Sequence, residues 1–398
     1  MTLNETPRSN RLHIGIYGKR NSGKSSLINA LTGHETALVS EFPGTTTDPV
    51  FKSIEIQGIG PCVLIDTAGF DDEGAMGELR VEMTKKALDK TDIAVVVFDD
   101  DLRLKQEKDW IAQLKKRNIP LITVLNKVDI LSDPNIAMRK IENETGIKPI
   151  LVSAKEKTGI QQIRTAILRK LPEDFDAKTI TGELVKAGDL VLLVMPQDIQ
   201  APKGRLILPQ VQTIRELLDK KCLIMSATTD KLDEALNATS RPPDVIITDS
   251  QVFKTVYDKK PESSKLTSFS VLFAGYKGDL EYYTDSASAI AGLTENSKVL
   301  IAEACTHAPL SEDIGREKIP ALLRKRIGSG LTVDFVRGND FPEDLKAYDL
   351  VIQCGACMFN RKMVLSRIES AASQGVPMSN YGVVIAYLAG ILDKISTA

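Results

Sequence analysis

The segment Gly18–Ser25 constrains the fold of this chain more than any other part of its sequence. It reads G-x-x-x-x-G-K-S, follows the apolar run LHIGIY and precedes the helix-like segment KSSLINALTG. A glycine-rich turn between a strand and a helix lets backbone N–H groups and the positive end of the helix dipole surround a phosphate group. The N-terminal part of the chain is therefore predicted to be a phosphate-binding α/β domain.

Short apolar runs alternate with longer amphipathic stretches along the chain, which is typical of a doubly wound α/β layout. The 398 residues exceed one ordinary domain. We predict a P-loop domain followed by two smaller α/β domains with parallel sheets, the last containing the strands SVLFAGY, KVLIAEA, LTVDFV and DLVIQC. The predicted parts are a tail at 1–10, a P-loop domain at 11–172, a middle domain at 180–262 and a C-terminal domain at 266–398.

The composition excludes several classes of protein. With 51 basic and 53 acidic residues the net charge is −2, which provides no bulk attraction to nucleic acid or to an anionic membrane. The sequence shows no signal peptide and no apolar stretch of about 18 residues, so we expect a cytoplasmic protein without a membrane or nucleic-acid partner. Five cysteines do not indicate a disulfide framework there. Cys62 and Cys222 lie in apolar runs and are predicted to be buried.

Three further motifs follow predicted strands of the first domain. In D-T-A-G at 66–69 the aspartate can hold magnesium through water and the glycine N–H can sense a γ-phosphate. In N-K-V-D at 126–129 the carboxylate of Asp129 can accept two guanine N–H groups, which adenine does not offer. S-A-K at 153–155 adds a backbone N–H to the guanine oxygen. The predicted residues for GTP or GDP are Asn21, Ser22, Gly23, Lys24, Ser25, Ser26, Asp66, Gly69, Asn126, Lys127, Asp129, Ser153 and Ala154, with Ser25 also facing Mg²⁺.

This set of motifs resembles the GTPases of the Era and TrmE type over residues 10–171. The sequence P-G-T-T-T-D at 43–48 is similar to the effector loop of that group. The resemblance implies that Thr46 binds Mg²⁺ and senses the γ-phosphate, with Thr45 and Thr47 as alternatives.

The position after D-T-A-G is Phe70, where Ras-like enzymes carry a glutamine that orients water. In relatives with this departure a P-loop asparagine helps to coordinate potassium, and Asn21 occupies that position here. The resemblance therefore implies slow, Mg²⁺-dependent and K⁺-stimulated hydrolysis of GTP. The catalytic residues that it implies are Lys24, Asn21, Thr46 and Gly69.

Three of the five cysteines lie in the last quarter of the chain, in C-T-H at 305–307 and C-G-A-C at 354–357. Cys305 and Cys354 each follow a predicted strand, and carboxyl ends of parallel strands lie on one edge of a sheet. Cys357 has the spacing of C-x-x-C ligands, so one metal can reach three thiolates. Three interpretations stay open: an iron–sulfur cluster, a zinc site completed by His307, and a redox pair of Cys354 and Cys357.

Joined to the GTPase motifs, A-C-T-H-x-P-L-x-E-D-I-G-R-x-K-I-P at 304–320 and the C-G-A-C block closely resemble the HydF family over the whole chain. The resemblance implies a GTPase domain, a dimerisation domain that forms a homodimer, and a domain with a 4Fe–4S cluster on Cys305, Cys354 and Cys357. It also implies that the N-terminal tail packs on the cluster domain. The family is a scaffold that receives a di-iron precursor from radical-SAM enzymes and passes it to the apo form of FeFe hydrogenase.

Some members of that family have a histidine before the second cysteine, where this chain has Gln353. One candidate for the fourth cluster ligand is therefore lost. The fourth iron is either open, water-bound, bound to an exchangeable outside ligand, or held by another side chain such as His307 or a nearby carboxylate. The alternative function is an Era-like assembly GTPase on RNA or tRNA with structural zinc. A third hypothesis is a redox-sensing GTPase in which Cys354 and Cys357 oxidise reversibly.

Overall fold

A computed structural model describes most of the chain. The described residues are 6–32, 50–56, 58–67, 75–172, 175, 178–196, 206–304 and 313–397, with the side chains of 50 and 75–81 excepted. They form two compact units, Met1–Phe175 and Asp176–Ala398. Within these ranges, every helix is too short or too polar to cross a membrane.

The first unit contains a six-stranded sheet. Its strands are β1 Leu12–Gly18, β2 Val50–Ile56, β3 Gly60–Asp66, β4 Ile93–Phe98, β5 Leu121–Leu125 and β6 Ile150–Leu151. Its helices are α1 Lys24–Thr32, α2 Ala75–Leu88, α3 Lys105–Lys116, α4 Pro134–Thr145 and α5 Ile160–Arg169. The strand order is β2-β3-β1-β4-β5-β6, and all neighbours pair in parallel except β2 and β3.

Burial explains why these segments fold as they do. Every residue of β1 and β4 is buried, and both strands are mostly apolar, as is typical of strands covered on two faces. Helix α5 instead buries Ile160, Ile163 and Ile167, at the three- and four-residue spacing of one helix face. Gly159 precedes it with φ 78°, and a Cβ there would lie 2.2 Å from the carbonyl oxygen of Leu151. Only glycine fits that turn.

The second unit contains two four-stranded sheets in which all pairs are parallel. The middle sheet has β7 Leu190–Val194, β8 Leu223–Ala227, β9 Val245–Thr248 and β10 Lys265–Ser268 in the order β10-β9-β7-β8. The C-terminal sheet has β11 Lys298–Glu303, β12 Thr332–Arg337, β13 Leu350–Gln353 and β14 Met378–Asn380 in the order β12-β11-β13-β14. The predicted fold class, a P-loop domain followed by smaller parallel α/β sheets, is confirmed.

Helices connect these strands. They are α6 Leu208–Asp219, α7 Leu232–Asn237, α8 Phe253–Lys259, α9 Phe269–Lys277, α10 Leu280–Ala287, α11 Ile319–Ile327, α12 Arg361–Ser373 and α13 Tyr381–Leu388. A π-helical turn at Ile314–Lys318 precedes α11. Short 3₁₀ helices lie at Arg8–Asn10, Thr229–Lys231, Ser250–Val252, Ser288–Gly292 and Leu392–Lys394.

The predicted strand SVLFAGY is wrong, because these residues form α9. The hydroxyl of Ser268 accepts the N–H of Val271 at 3.2 Å and caps the first turn, which starts a helix. The apolar residues of α9 enter three different cores, so the helix has almost no polar face. The sequence of a short, fully enclosed helix is a continuous apolar run, and its periodicity does not distinguish it from a buried strand.

Helix α9 is shared by both sheets of the second unit. Phe269 and Phe273 pack in the core of the middle sheet, whereas Ala274 packs in the core beside the C-terminal sheet. Residues 265–268 form β10 and pair with β9, so they belong to the middle sheet. The domain boundaries given above, and the packing of the N-terminal tail on the C-terminal domain, stay predictions.

Candidate functional site

The P-loop connects β1 to α1 and surrounds the side chain of Lys24. The Lys24 ammonium is buried and donates to the carbonyl oxygens of Gly18 at 3.0 Å and Lys19 at 2.7 Å. Asn21 and Gly23 have left-handed backbones, with φ 59° and 86°. A Cβ on Gly23 would lie 2.2 Å from the side-chain nitrogen of Asn126, so glycine is required both by the backbone angle and by this close approach.

Ser25 and Asp66 form a pair of oxygen ligands beside the P-loop. Ser25 lies in α1 and donates its hydroxyl to Oδ2 of Asp66, the last residue of β3, at 2.8 Å. Burial raises the pKa of Asp66, while the hydrogen bond from Ser25 and the charge of Lys24 act in the opposite direction. A hydroxyl and a carboxylate are ligands that Mg²⁺ accepts. The pair can therefore hold a magnesium ion directly or through water.

The side chain of Asn126 joins three of the predicted motifs. Its Nδ2 donates to the carbonyl oxygen of Ser22 in the P-loop at 3.0 Å. Its Oδ1 accepts the backbone N–H of Ala154 at 3.0 Å, in the loop after β6. Its own backbone N–H donates to the carbonyl oxygen of Phe98 at the end of β4. Asn126 is buried, so it fixes the relative positions of three loops.

Asp129 and Lys127 lie on the open side of this arrangement. A hydrogen bond with Ser153 holds the pKa of Asp129 below its usual value, so the exposed carboxylate is ionised at neutral pH and can accept N–H groups. Lys127 has a left-handed backbone with φ 61°, and its ammonium lies 3.5 Å from Oδ2 of Asp99. Ser26 is exposed on α1.

Thr45, Thr46, Thr47 and Gly69 lie outside the described residues, as does Phe70. Their predicted roles stay predictions.

Sequence reasoning did not single out Lys19, which is buried within the P-loop. Its ammonium donates to the carbonyl oxygen of Arg103 at 2.6 Å and lies 3.2 Å from Oε1 of Glu107. Glu107 is also buried, and burial raises its pKa. This contact ties the P-loop to the segment between β4 and α3. The ion pair of Lys19 and Glu107 cannot be predicted from the P-loop motif, because Lys19 occupies a variable position of that motif and Glu107 is 88 residues away.

The sulfur of Cys354 lies where two strands of the C-terminal sheet end. β11 and β13 pair in parallel with Ala302 opposite Gln353. The backbone N–H of Ala304 then donates to Sγ of Cys354 at 3.0 Å. Cys305 follows Ala304 directly in the chain but lies, like His307, outside the described residues.

The C-x-x-C loop itself has an unusual backbone. Ala356 is left-handed, with φ 49°, and its N–H faces Sγ of Cys354 at 3.4 Å. Burial raises the pKa of the Cys354 thiol, and these N–H groups oppose that effect. Cys354 and Cys357 are both partly buried, and no disulfide joins them in the described structure.

Gln353 is a second polar neighbour of the same sulfur. It is fully buried, its Nε2 lies 3.7 Å from Sγ of Cys354, and its Oε1 accepts from the guanidinium of Arg367 at 2.8 Å. That guanidinium also donates to the carbonyl of Gly338. It lies between two aromatic rings, 4.6 Å from the centroid of Phe341 and 4.6 Å from that of Phe359. These contacts orient the side chain of Gln353 so that its Nε2 is a hydrogen-bond donor to the sulfur of Cys354.

Two buried hydroxyls face the same region. Those of Tyr283 and Tyr381 have no hydrogen-bond partner among the described residues. Burial raises the pKa of both phenols, and the nearby Cys354 thiol acts in the same direction. Lys277 also reaches the loop and is described below.

The residues present fit a thiolate-bound metal centre. Sγ of Cys354 accepts backbone N–H groups, which favour the thiolate, and Cys357 follows at ligand spacing. Among the described residues, no atom lies within 4 Å of a Cβ built at Gly355. In the part of the chain that the structure describes, no three His, Cys, Asp or Glu side chains are grouped to hold a metal. A third protein ligand for such a site would therefore have to come from outside the described residues. Cys62 and Cys222 are buried elsewhere, as predicted.

Sequence models of three domains match the chain. The model of the 50S ribosome-binding GTPase matches residues 13–127. The model of the hydrogen maturase F dimerization domain matches residues 180–278, and that of the hydrogen maturase F tetramerization domain matches residues 281–397. The GTPase domain and the two later sheets thus each have a matching model.

Individual relatives are similar mainly in the GTPase domain. The tRNA modification GTPase MnmE of Nitrosomonas eutropha is 35% identical over 204 residues, which cover 50% of this chain and 42% of the relative. GTPase Der of Kosmotoga olearia is 35% identical over 185 residues, covering 44% and 41%. The chain therefore spans less than half of these curated relatives. A structure of Aquifex aeolicus Era is 20% identical, with a TM-score of 0.34, and covers 57% of this chain and 98% of that chain.

The two hydrogen maturase F models together cover more than half of the chain and directly follow the GTPase domain. MnmE and Der are distant relatives that share only part of its length. The resemblance predicted from the sequence is thus confirmed, and the chain belongs to the hydrogen maturase F (HydF) family of GTPases.

Proposed function

We propose that the first unit binds and hydrolyses GTP with Mg²⁺, and that K⁺ stimulates the reaction. The P-loop residues from Asn21 to Ser26 bind the phosphates, and the Lys24 ammonium exchanges its present carbonyl partners for phosphate oxygens. Ser25, Asp66 and Thr46 hold Mg²⁺, which neutralises charge on the phosphates. The observation that supports this assignment is the 2.8 Å contact between Ser25 and Asp66 beside the buried lysine.

Guanine binds between the loops that Asn126 connects. Asp129 accepts two N–H groups of the base, Lys127 lies along it, and Ser153 and Ala154 complete the pocket. Gly69 senses the γ-phosphate and Asn21 helps to bind potassium. Each role is assigned from the position of the residue in its motif and from the chemistry of its side chain or backbone.

Exchange of Asp129 for asparagine tests the base pocket. The amide of Asp129→Asn offers an N–H where guanine also presents one, so GTP affinity is expected to fall by on the order of 100-fold, about 2.8 kcal/mol. Xanthosine triphosphate carries a carbonyl oxygen at that position and is expected to bind the variant better than GTP. Titration calorimetry with both nucleotides measures this, with the exposed Asn237→Ala as control. Unchanged GTP binding would contradict the assignment.

Potassium dependence is the second prediction. The wild-type GTPase rate is expected to be on the order of tenfold higher in a potassium salt than in the matched sodium salt. This corresponds to an activation barrier that is lower by about 1.4 kcal/mol. Asn21→Ala is expected to remove this difference, because the cation loses a ligand beside the phosphates, while Asn237→Ala keeps it. Phosphate release under multiple-turnover conditions gives both rates. Equal rates in the two salts, or an intact response in Asn21→Ala, would show that the prediction is wrong.

We further propose that Cys305, Cys354 and Cys357 bind a 4Fe–4S cluster, with His307 as one candidate for the fourth ligand. The supporting observation is the 3.0 Å contact between the backbone N–H of Ala304 and Sγ of Cys354, which joins the ends of β11 and β13. Such a cluster supplies an iron at which a metal fragment can dock. The chain itself supplies thiolates and backbone N–H donors to sulfur.

The whole protein then acts as a scaffold in the maturation of FeFe hydrogenase. It receives a di-iron precursor from radical-SAM partner enzymes, and it transfers this cargo to the apo-hydrogenase. The match to two hydrogen maturase F domains supports this proposal. After incubation with the partner enzymes, the re-isolated chain is expected to activate apo-hydrogenase, and failure of loaded protein to do so would contradict the carrier role.

Anaerobic reconstitution tests the cluster. The wild-type chain is expected to show a broad sulfur-to-iron absorption near about 400 nm and about four irons per chain. Cys305→Ala, Cys354→Ala and Cys357→Ala are each expected to lose most of it, whereas Cys222→Ala, a buried cysteine of the middle sheet region, keeps it. A colourless protein with one zinc would instead support the alternative, an Era-like assembly GTPase. Reversible oxidation of the C-x-x-C pair without iron would support the redox-sensing hypothesis.

We propose that the chain forms a homodimer through the middle domain. β8 is an edge strand of its sheet, and Leu223 on it is 59% exposed, with the 57% exposed Leu218 nearby in the chain. An apolar edge strand is a common place for subunit contact. Leu223→Lys is expected to lower the mass seen by light scattering, whereas Ile136→Lys, at an exposed position of α4 in the first unit, leaves it unchanged. A wild-type chain that stays monomeric at all concentrations would contradict the proposal.

A further inference from the structure

The side chain of Lys277 is enclosed behind the C-x-x-C loop. Lys277 is the last residue of α9, is 2% exposed, and donates to the carbonyl oxygens of Ala356 at 3.3 Å, Cys357 at 3.1 Å and Phe359 at 2.7 Å. An ammonium group has three N–H donors, so this one side chain satisfies all of them on a single loop. Its nitrogen also lies 6.0 Å from the centroid of the Phe273 ring, one turn earlier in α9.

These bonds determine which way the loop amides point. In a planar trans peptide the C=O and the following N–H point in opposite directions, and the described chain has no cis peptide. Carbonyls 356 and 357 face Lys277, so the N–H groups of Cys357 and Met358 point away from it. The left-handed backbone of Ala356 is unfavourable for a residue with a Cβ. Three hydrogen bonds to one buried cation offset this cost.

In the described structure the ammonium of Lys277 is bonded to carbonyl groups rather than to a carboxylate. Within the described parts of the chain, no Asp or Glu oxygen forms an ion pair with its ammonium. An isolated buried charge is unfavourable unless it is compensated. Burial lowers the pKa of Lys277 to about 8, while the nearby Cys357 and Cys354 act in the opposite direction and favour its protonated form. A thiolate-bound group on the loop is therefore the natural counter-charge.

We propose that Lys277 is a positioning residue for the metal loop: it orders residues 354–359 before metal binds and supplies a positive charge behind the two thiolates. The second part rests on the proposed function, because it concerns the cluster. A positive charge close to a cluster stabilises its more negative, reduced state and so raises the reduction potential. The first part concerns this chain alone.

Hydrogen exchange of the metal-free protein tests the order of the loop. Lys277→Met is expected to speed exchange across residues 354–360 by at least about tenfold, because the carbonyls lose their common partner. The amide of Phe359, which bonds to the carbonyl of Ala356, is the most informative. Lys325→Met, at an exposed position of α11, is the control and is expected to leave the loop unchanged. Unchanged protection in Lys277→Met, with the variant folded elsewhere, would overturn the proposal.

The reduction potential tests the charge. Lys277→Gln keeps an N–H donor without the charge and is expected to lower the midpoint potential of the reconstituted cluster by about 60 mV, a tenfold change in the one-electron equilibrium constant. Lys277→Arg keeps the charge and is expected to stay near the wild-type potential. Redox titration followed by electron paramagnetic resonance measures both. A wild-type potential in Lys277→Gln would overturn the electrostatic part. If the wild-type chain binds no cluster, the proposed function fails, while hydrogen exchange still decides whether Lys277 orders the loop.

Discussion

Parallel pairing of strands is the constraint on which both candidate sites depend. Because neighbouring strands run in the same direction, each sheet collects its strand ends on one edge, and the hydrogen-bond register fixes their relative heights. In the first unit this brings Asp66 to Ser25 and Asn126 to the loop after β6. In the second it brings Ala304 to Cys354, although 50 positions separate them. Groups far apart in sequence thus reach hydrogen-bond distance because the strands that carry them pair side by side.

Much of this arrangement could be predicted from sequence, since it follows from strands and short motifs that are local in the chain. The strands before the P-loop, before D-T-A-G and before Cys354 were each correct in kind and place. Helix α9 could not be predicted, because its burial by two sheets and another helix removes the polar face that marks a helix. Lys277 was missed for the same reason. A lysine that ends an apolar run looks like a solvated terminus, and only the tertiary structure shows that it is enclosed.

Gln353 shows why a departure from a family pattern needs the surrounding residues to be understood. Considered alone, it removes a candidate metal ligand. In the fold its amide is oriented by Arg367, which is 14 residues away and held between Phe341 and Phe359. The buried guanidinium is stabilised there by its hydrogen bonds to Gln353 and to the carbonyl of Gly338 and by the two aromatic faces. Gln353 therefore contributes an N–H group near sulfur, and that contribution depends on partners that no local motif contains.

Helix α9 gives this arrangement a mechanical property. Nine residues form a rod about 13 Å long. Its first residue, Phe269, is embedded in the core of the middle sheet, and its last, Lys277, holds the carbonyls of the cysteine loop. A helix resists bending along its axis, so its two ends cannot move independently. A displacement of the middle sheet that moves α9 would therefore also move Lys277, and it would act on the three hydrogen bonds that shape the cysteine loop.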